Sequence, residues 1–168
     1  DAAGAQELRM SVLQPKEIWQ QSGRDQDYGS DMFRLEDRRE RKLVMAPTHE
    51  ELLTNMVRAN VNSYRDLPVI LYQIQTKFRD ETRPRGGLIR VREFDMKDAY
   101  SFDVDENGLN NSYEIMSEVY RTIYERCGIE SNIVEADSGA IGGKGSHEFI
   151  AFSESGEDTV LVCSECDY

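Results

Sequence analysis

The sequence has little of what several catalytic classes require. Its 168 residues hold 2 histidines, 3 cysteines and 1 tryptophan. An odd number of cysteines argues against a disulfide framework, and two histidines leave little from which to build a catalytic metal centre, so no metal site is expected. Cys163-Ser164-Glu165-Cys166 is a single CxxC without a second pair, and reads as incidental or as a fragment of a larger loop. No Ser-His-Asp or Cys-His arrangement stands out. No apolar run approaches the roughly 20 residues of a membrane span, and the N-terminus carries no basic-then-apolar signal. A cytosolic or organellar-matrix location is therefore the default, with cytoplasmic the expectation and no membrane partner.

Positive charge is scarce and unevenly placed. The chain carries 20 basic and 32 acidic residues, a net charge of −12. Residues 1–102 balance at 17 basic and 17 acidic, whereas residues 103–168 hold 3 basic and 15 acidic ones. That second stretch repels a nucleic-acid backbone, so any main grip on one lies elsewhere. The length suffices for one domain with a proper core, and the composition is that of a globular protein.

What is present begins with Leu8 to Leu13, which alternates like a strand, followed by a short helix from Pro15 stopped by Gly23. Met32–Glu36 and Lys42–Ala46 read as a hairpin with a charged turn at Asp37–Arg41. A helix follows with Leu52, Leu53, Met56, Val57 and Val61 on its apolar side. Thr48 with Glu51 three residues on suggests a capping box at its start. A longer amphipathic helix is expected from about Glu106 to Cys127. Its Leu109, Tyr113, Met116, Val119, Tyr120 and Ile123 are expected in the core, Cys127 is expected as a buried thiol, and Gly128 as the stop. Asn132–Ala136 and His147–Phe152 read as strands around the glycine-rich loop Ser138–Ser146. That loop is not a Walker site, because Gly143-Lys144 is followed by Gly145 and then by a strand. His147 and Glu148, adjacent on a strand, point to opposite faces and cannot easily act on one atom.

The densest chemistry lies between Val69 and Phe102. Val69–Gln75 is rich in β-branched and aromatic residues and suits a strand. Pro84 and Gly86-Gly87 break the pattern, and an apolar run resumes at Leu88. Lys77, Arg79, Arg83, Arg85, Arg90, Arg92 and Lys97 cluster here. Guanidinium forks pair with phosphate oxygens two bonds at a time, which suits a polyphosphate. The same charges also suit a solvated edge hairpin protected from aggregation.

The order of residue types resembles motif 2 of the class II aminoacyl-tRNA synthetases. Phe78-Arg79-Asp80-Glu81 leads into a basic loop, and Arg90 to Phe94 returns from it. The continuation Glu93-Phe94-Asp95-Met96-Lys97-Asp98-Ala99-Tyr100-Ser101-Phe102 is similar to the bacterial-type prolyl-tRNA synthetases. Three further matches occur in the family's order: Gln14-Pro15 through Trp19 to Ser22-Gly23-Arg24, then Thr48-His49-Glu50, then Ile141-Gly142-Gly143 to Ser146-His147-Glu148-Phe149. The resemblance spans essentially the whole chain.

The resemblance implies an α+β fold, an antiparallel sheet flanked by helices, with Arg79 and Phe94 on one sheet face. It implies that residues 1–168 form part of a catalytic domain, from the end of motif 1 through motif 2 to the start of the usual editing insertion. Neither motif 3 nor an anticodon-binding domain is recognisable. The reaction implied is attack of the proline carboxylate on the α-phosphate of ATP, giving prolyl-adenylate and then prolyl-tRNA(Pro), with Mg²⁺ accompanying ATP. Positioning and charge neutralisation do most of that work. By resemblance, Arg79 bridges the α-phosphate and the substrate carboxylate, Glu81 meets the adenine end, Arg90 the terminal phosphate, and Phe94 stacks on adenine. Arg83 and Arg85 are candidates for phosphate or the tRNA acceptor end. Thr48 and Glu50 hold the proline amine, since a hydroxyl and a carboxylate suit a cation with two donors. Met96, Asp98, Tyr100 and Phe102 shape the pocket, and Ser146 and His147 belong to the strand along its floor.

Two departures bear on assembly. Ser11 stands where the family's motif 1 usually has proline, and the long helix before that strand is missing from the sequence, so the homodimer of full-length members is open for this chain. The chain as given is not expected to aminoacylate tRNA by itself. A stand-alone binding module that keeps only the nucleotide pocket, and a sister synthetase for threonine or serine, are the competing readings; the absence of a zinc-ligand set argues against threonine.

Overall fold

A computed structural model describes residues 2–139, 143, 145–156, 158–161, 163 and 165. The chain divides into two compact units, residues 1–113 and 114–168.

The first unit is built on a long hairpin. Strand β5 (Val69–Phe78) pairs antiparallel with β6 (Glu93–Phe102), from Val69 opposite Phe102 to Phe78 opposite Glu93. Strand β1 (Gln6–Glu7) adds to β5 in parallel. A second sheet holds β2 (Leu13–Pro15), β4 (Lys42–Met45) and β3 (Arg34–Glu36), in that order and antiparallel throughout. Its β3–β4 turn is closed by Asp37, whose carboxylate accepts the backbone N–H groups of Arg39 and Arg41. Helix α1 (Lys16–Ser22) ends at Gly23, whose φ of 82° is the left-handed cap that lacks a Cβ penalty. The single turn α2 (Arg24–Asp27) follows, and helix α3 (Glu50–Asn60) comes after β4.

Two small cores hold this unit. Trp19, Met32 and Val44 pack together, with Tyr28 meeting the Trp19 ring edge-on at 5.5 Å. Leu53 and Val57 of α3 pack against Leu71 of β5, with Tyr100 and Phe102 at the margin.

Period-two alternation sorts the hairpin into unlike faces. Leu71, Gln73, Gln75 and Lys77 are buried, while Ile74, on the other face, is 61% exposed. The buried face is mostly polar, which explains an error in the sequence reading. Residues 8–12 alternate as a strand should but form none. The backbone of Met10 is bonded by side chains instead: its N–H donates to Gln73 Oε1 (3.0 Å), and its carbonyl accepts from Gln75 Nε2 (2.7 Å). Two glutamines thus satisfy the chain where a ladder would.

Other expectations need correction. The return strand begins at Glu93, not Leu88; the loop tip is held by one backbone bridge between Arg85 and Arg90, leaving Leu88 and Ile89 about nine-tenths exposed. Gly86 and Gly87 both have φ near 65°, the turn geometry that stops the strand from continuing. The α3 cap is His49, with no side-chain cap bond, so the Thr48–Glu51 capping box does not form.

Helix α4 (Glu106–Arg126) starts in the first unit, where Asp105 Oδ1 accepts the Gly108 N–H at 2.8 Å. In the second unit its Tyr120 and Tyr124 rings lie 5.8 and 5.5 Å from Phe149. Gly128 ends it as expected, with its N–H on the Glu125 carbonyl and that of Ile129 on the Tyr124 carbonyl. Leu109, Tyr113 and Ile123 are 40–49% exposed and Cys127 is exposed, so neither the core placement of these side chains nor the buried thiol holds. The helix turns only part of its apolar stripe onto Phe149. Strands β7 (Asn132–Glu135) and β8 (His147–Ile150) pair antiparallel. Ala140, Ile141, Gly142 and Lys144 of the glycine-rich loop, and Cys166 of the CxxC, lie outside the described residues.

Candidate active site

The polar face of β5 and β6 carries the chemistry. Lys77 is fully buried, and its ammonium meets Asp98 Oδ1 at 2.8 Å and the Gln75 carbonyl at 3.3 Å. The other carboxylate oxygen of Asp98 accepts the Gln73 amide at 3.0 Å and the Tyr100 hydroxyl. Tyr100 in turn accepts the His49 N–H at 3.3 Å and lies within hydrogen-bonding reach of the Thr48 hydroxyl. Burial pushes the Tyr100 phenol up, and the charges of Glu50 and Asp98 reinforce the shift, so it stays protonated.

Thr48 continues the chain to Glu50 through a hydroxyl-to-carboxylate bond. Glu50 and Glu51, in the first turn of α3, share one cation. Arg24 Nη1 lies 2.9 Å from Glu51 Oε1 and 3.5 Å from Glu50 Oε2. Ser22 also donates to Glu51, at 3.0 Å, so this carboxylate serves an ion pair where the sequence suggested a cap. The Arg24 guanidinium sits over the Trp19 and Tyr28 rings at 5.7 and 5.4 Å. Although burial disfavours its charge, the two glutamates hold the Arg24 pKa above its ordinary value.

Beyond Phe78, Arg79 leaves the strand with its Nε on the Pro47 carbonyl at 3.3 Å and its guanidinium 5.5 Å from the Phe94 ring centroid. Arg79 and Phe94 thus share a face, as expected. Past them, the loop gathers Glu81, Thr82, Arg83, Arg85 and Arg90 around an open cleft of about 380 Å³. Glu81 is the hub there: it accepts Arg90 Nε at 2.6 Å and the Arg83 N–H at 3.0 Å. These bonds, the Arg83 N–H first, hold its carboxyl below the usual range.

The structure therefore brings Thr48, Glu50, Asp98 and Tyr100 into one hydrogen-bonded group, sets Arg79 against Phe94, and gathers Glu81, Arg83, Arg85 and Arg90 around the open cleft. Met96 lies opposite Gln75 on the same strand pair. Phe102, like Tyr100, is partly buried and packs against the Leu53 cluster. Ser146 and His147 belong to the second unit. The Ser146 carbonyl accepts the Ala136 N–H at 3.0 Å, and exposed His147 opens β8 opposite Glu135. Sequence reading missed Lys77, Arg24, Gln73 and His49. A lysine inside an alternating strand, on the parity of its buried residues, was the available signal for the first. Among the described residues no group of three or more His, Cys, Asp or Glu is placed to hold a metal ion, and no helix is long and apolar enough to cross a membrane.

The model of the tRNA synthetase class II core domain (G, H, P, S and T) matches residues 33–168, and the chain belongs to that family. Within it, the chain is 60% identical over 166 residues to the proline–tRNA ligase of Dehalococcoides mccartyi, covering 99% of this chain and 29% of that protein. The proline–tRNA ligase of Caldicellulosiruptor bescii is 58% identical over 168 residues, 100% of this chain and 29% of the relative. The chain thus spans under a third of the length of these relatives. Among solved structures, the Giardia lamblia prolyl-tRNA synthetase in complex with prolyl-adenylate matches with a TM-score of 0.74 at 24% identity, over 80% of this chain and 28% of that one. The RNA binding domain of threonyl-tRNA synthetase from Cryptosporidium parvum matches at 0.66 and 22%, over 77% and 32%. At these identities both likenesses speak to the fold.

Proposed function

We propose that this segment supplies the proline and adenylate pocket of a proline–tRNA ligase. The observation that carries the reading is the charge and proton count around Glu50. Lys77 is matched by Asp98, whereas Arg24 is shared by Glu50 and Glu51 and lies nearer Glu51, so Glu50 has no ion-pair partner of its own. Glu50 and Tyr100 also compete for the single proton of the Thr48 hydroxyl. A carboxylate with only a shared cation and a shared donor suits a secondary ammonium, which brings one charge and two N–H groups.

Arg79 then stands where a substrate carboxylate and an α-phosphate meet, with Phe94 as the stacking surface for adenine. Glu81 serves the adenine end, Arg90 the terminal phosphate, and Arg83 and Arg85 further phosphates or the acceptor end of tRNA(Pro). Met96 shapes the proline pocket, and Ser146 and His147 are assigned to its floor by family resemblance alone. No side-chain nucleophile is needed: the proline carboxylate displaces pyrophosphate, and the chain's own contribution is orientation and charge neutralisation. Mg²⁺ is inferred to arrive with ATP by family resemblance. Family resemblance is likewise the ground for inferring a homodimer of the full-length protein and a cytoplasmic location. The segment alone is inferred not to aminoacylate tRNA.

The test is thermal unfolding with a non-hydrolysable prolyl-adenylate analogue. At a hundred times its dissociation constant a ligand adds about 2.7 kcal/mol of stability. An upward shift that disappears in Arg79→Ala supports the reading. A shift with a threonyl or seryl analogue and none with the prolyl one overturns the proline assignment.

A further inference from the structure

We propose that Lys77 is a positioning residue which, through Asp98, fixes the Tyr100 hydroxyl as a hydrogen-bond acceptor toward the amine subsite and so selects ligands that carry an N–H donor. The inference rests on the proline pocket proposed above and adds to it a residue and a selection rule.

A lysine with no exposed surface, paired with an aspartate of 8% exposure, is an expensive device if stability is all it serves. Well-packed apolar residues of similar volume commonly serve as well or better. What the pair does locally is fill the lone pairs of Asp98 with donors. Lys77 occupies Oδ1, while Oδ2 takes both the Gln73 amide and the Tyr100 hydroxyl. Kept as an acceptor only, the carboxylate commits the phenol proton to itself. The Tyr100 oxygen can then only accept on its other side, where the His49 N–H and the Thr48 hydroxyl lie. Thr48, shared between Tyr100 and Glu50, completes a rim of acceptors. Such a rim welcomes an ammonium and leaves acceptors unpaired against an apolar ring of the same shape, the type of mismatch that discriminates strongly.

The experiment is a pair of titrations on this chain by calorimetry. One ligand is the sulfamoyl analogue of prolyl-adenylate; the other is its cyclopentane counterpart, in which a CH₂ replaces the ring N–H. The variant is Lys77→Met/Asp98→Leu, which removes the ion pair without stranding a buried charge; Lys77→Met is made beside it, and folding of each is checked by circular dichroism. The unsubstituted chain is expected to prefer the prolyl ligand by at least tenfold. The double variant is expected to lose most of that preference, read as the ratio of its two affinities. Tyr100→Phe added to the double variant is expected to cost nothing further, because both changes act through one oxygen. An equal weakening of both ligands makes the pair merely structural and overturns the proposal, as does an unchanged preference. Failure of the unsubstituted chain to bind either ligand overturns the pocket itself, and the proposal with it.

Discussion

The guanidinium of Arg79 lies over the ring of Phe94, 5.5 Å from its centroid, although 15 residues separate the two in the chain. The register makes them meet. Lys77 is opposite Phe94, and Arg79 is the next residue of that parity beyond the last ladder pair, with its N–H on the Arg92 carbonyl at 3.0 Å. The aromatic ring therefore orients the arginine proposed to meet the reacting groups. At a partly exposed site such a contact is worth about 0.5–1 kcal/mol. Phe94→Leu is expected to weaken binding of the prolyl-adenylate analogue by about two- to fivefold through Arg79 alone, with any lost stacking on adenine added. Phe94→Tyr is expected to keep the affinity. Calorimetric titration of both variants checks this, and a fully retained affinity in Phe94→Leu refutes it.

His49 makes a pH prediction. Its Nε2 bonds the Ser11 carbonyl at 3.1 Å, and its buried Nδ1 makes no hydrogen bond among the described residues. Burial, with the charge of Lys77 behind it, pushes the imidazole below its ordinary 6.5. The folded state therefore binds this proton less readily than the unfolded state does. Stability from this group is complete above 6.5 and erodes as pH falls from there toward the folded value. Urea unfolding across that window is expected to show the loss in the native chain and a flatter profile in His49→Gln. Equal slopes in the two proteins refute it.

The hairpin, both of its glycines, the stops at Gly23 and Gly128 and the amphipathic helices were legible in the sequence, because each rests on local preferences. The joint placement of Thr48, Glu50, Asp98 and Tyr100 was legible only through family resemblance. What local pattern could not supply is the pairing of side chains far apart in the chain. Glu51 sits at capping-box spacing from Thr48 but is drawn to Arg24, 27 residues away, because an ion pair at 2.9 Å outweighs a cap. Residues 8–12 alternate as a strand does, yet the backbone of Met10 bonds the side chains of Gln73 and Gln75, more than 60 residues on, and no ladder forms.

That Arg24–Glu51 pair gives a stability prediction. The Glu51 side chain is 4% exposed and its second oxygen has no hydrogen bond among the described residues. Arg24→Met leaves a buried charge held only by Ser22 and is expected to cost about 3–5 kcal/mol. Adding Glu51→Leu removes the orphaned charge and is expected to recover most of the loss. Denaturant unfolding of both variants decides it: if the second change recovers nothing, the orphaned charge was not the source of the loss, and packing on Trp19 and Tyr28 was the larger part of what Arg24 contributed.

The hairpin tip responds to pH in its own range. Glu81 holds the Arg83 N–H and the Arg90 guanidinium on separate oxygens, and these bonds keep its carboxyl below the ordinary 4.5. The order they give is present in full above 4.5 and is lost as pH falls through the lower folded value. The Arg83 amide nitrogen resonance is expected to move with a midpoint below 4.5, and Glu81→Gln to abolish the movement. A midpoint at or above 4.5 refutes the assignment. Because Glu81 is proposed to meet the adenine end and Arg90 the terminal phosphate, nucleotide must part the pair, and ATP is expected to raise that midpoint as the Arg90 contact is withdrawn.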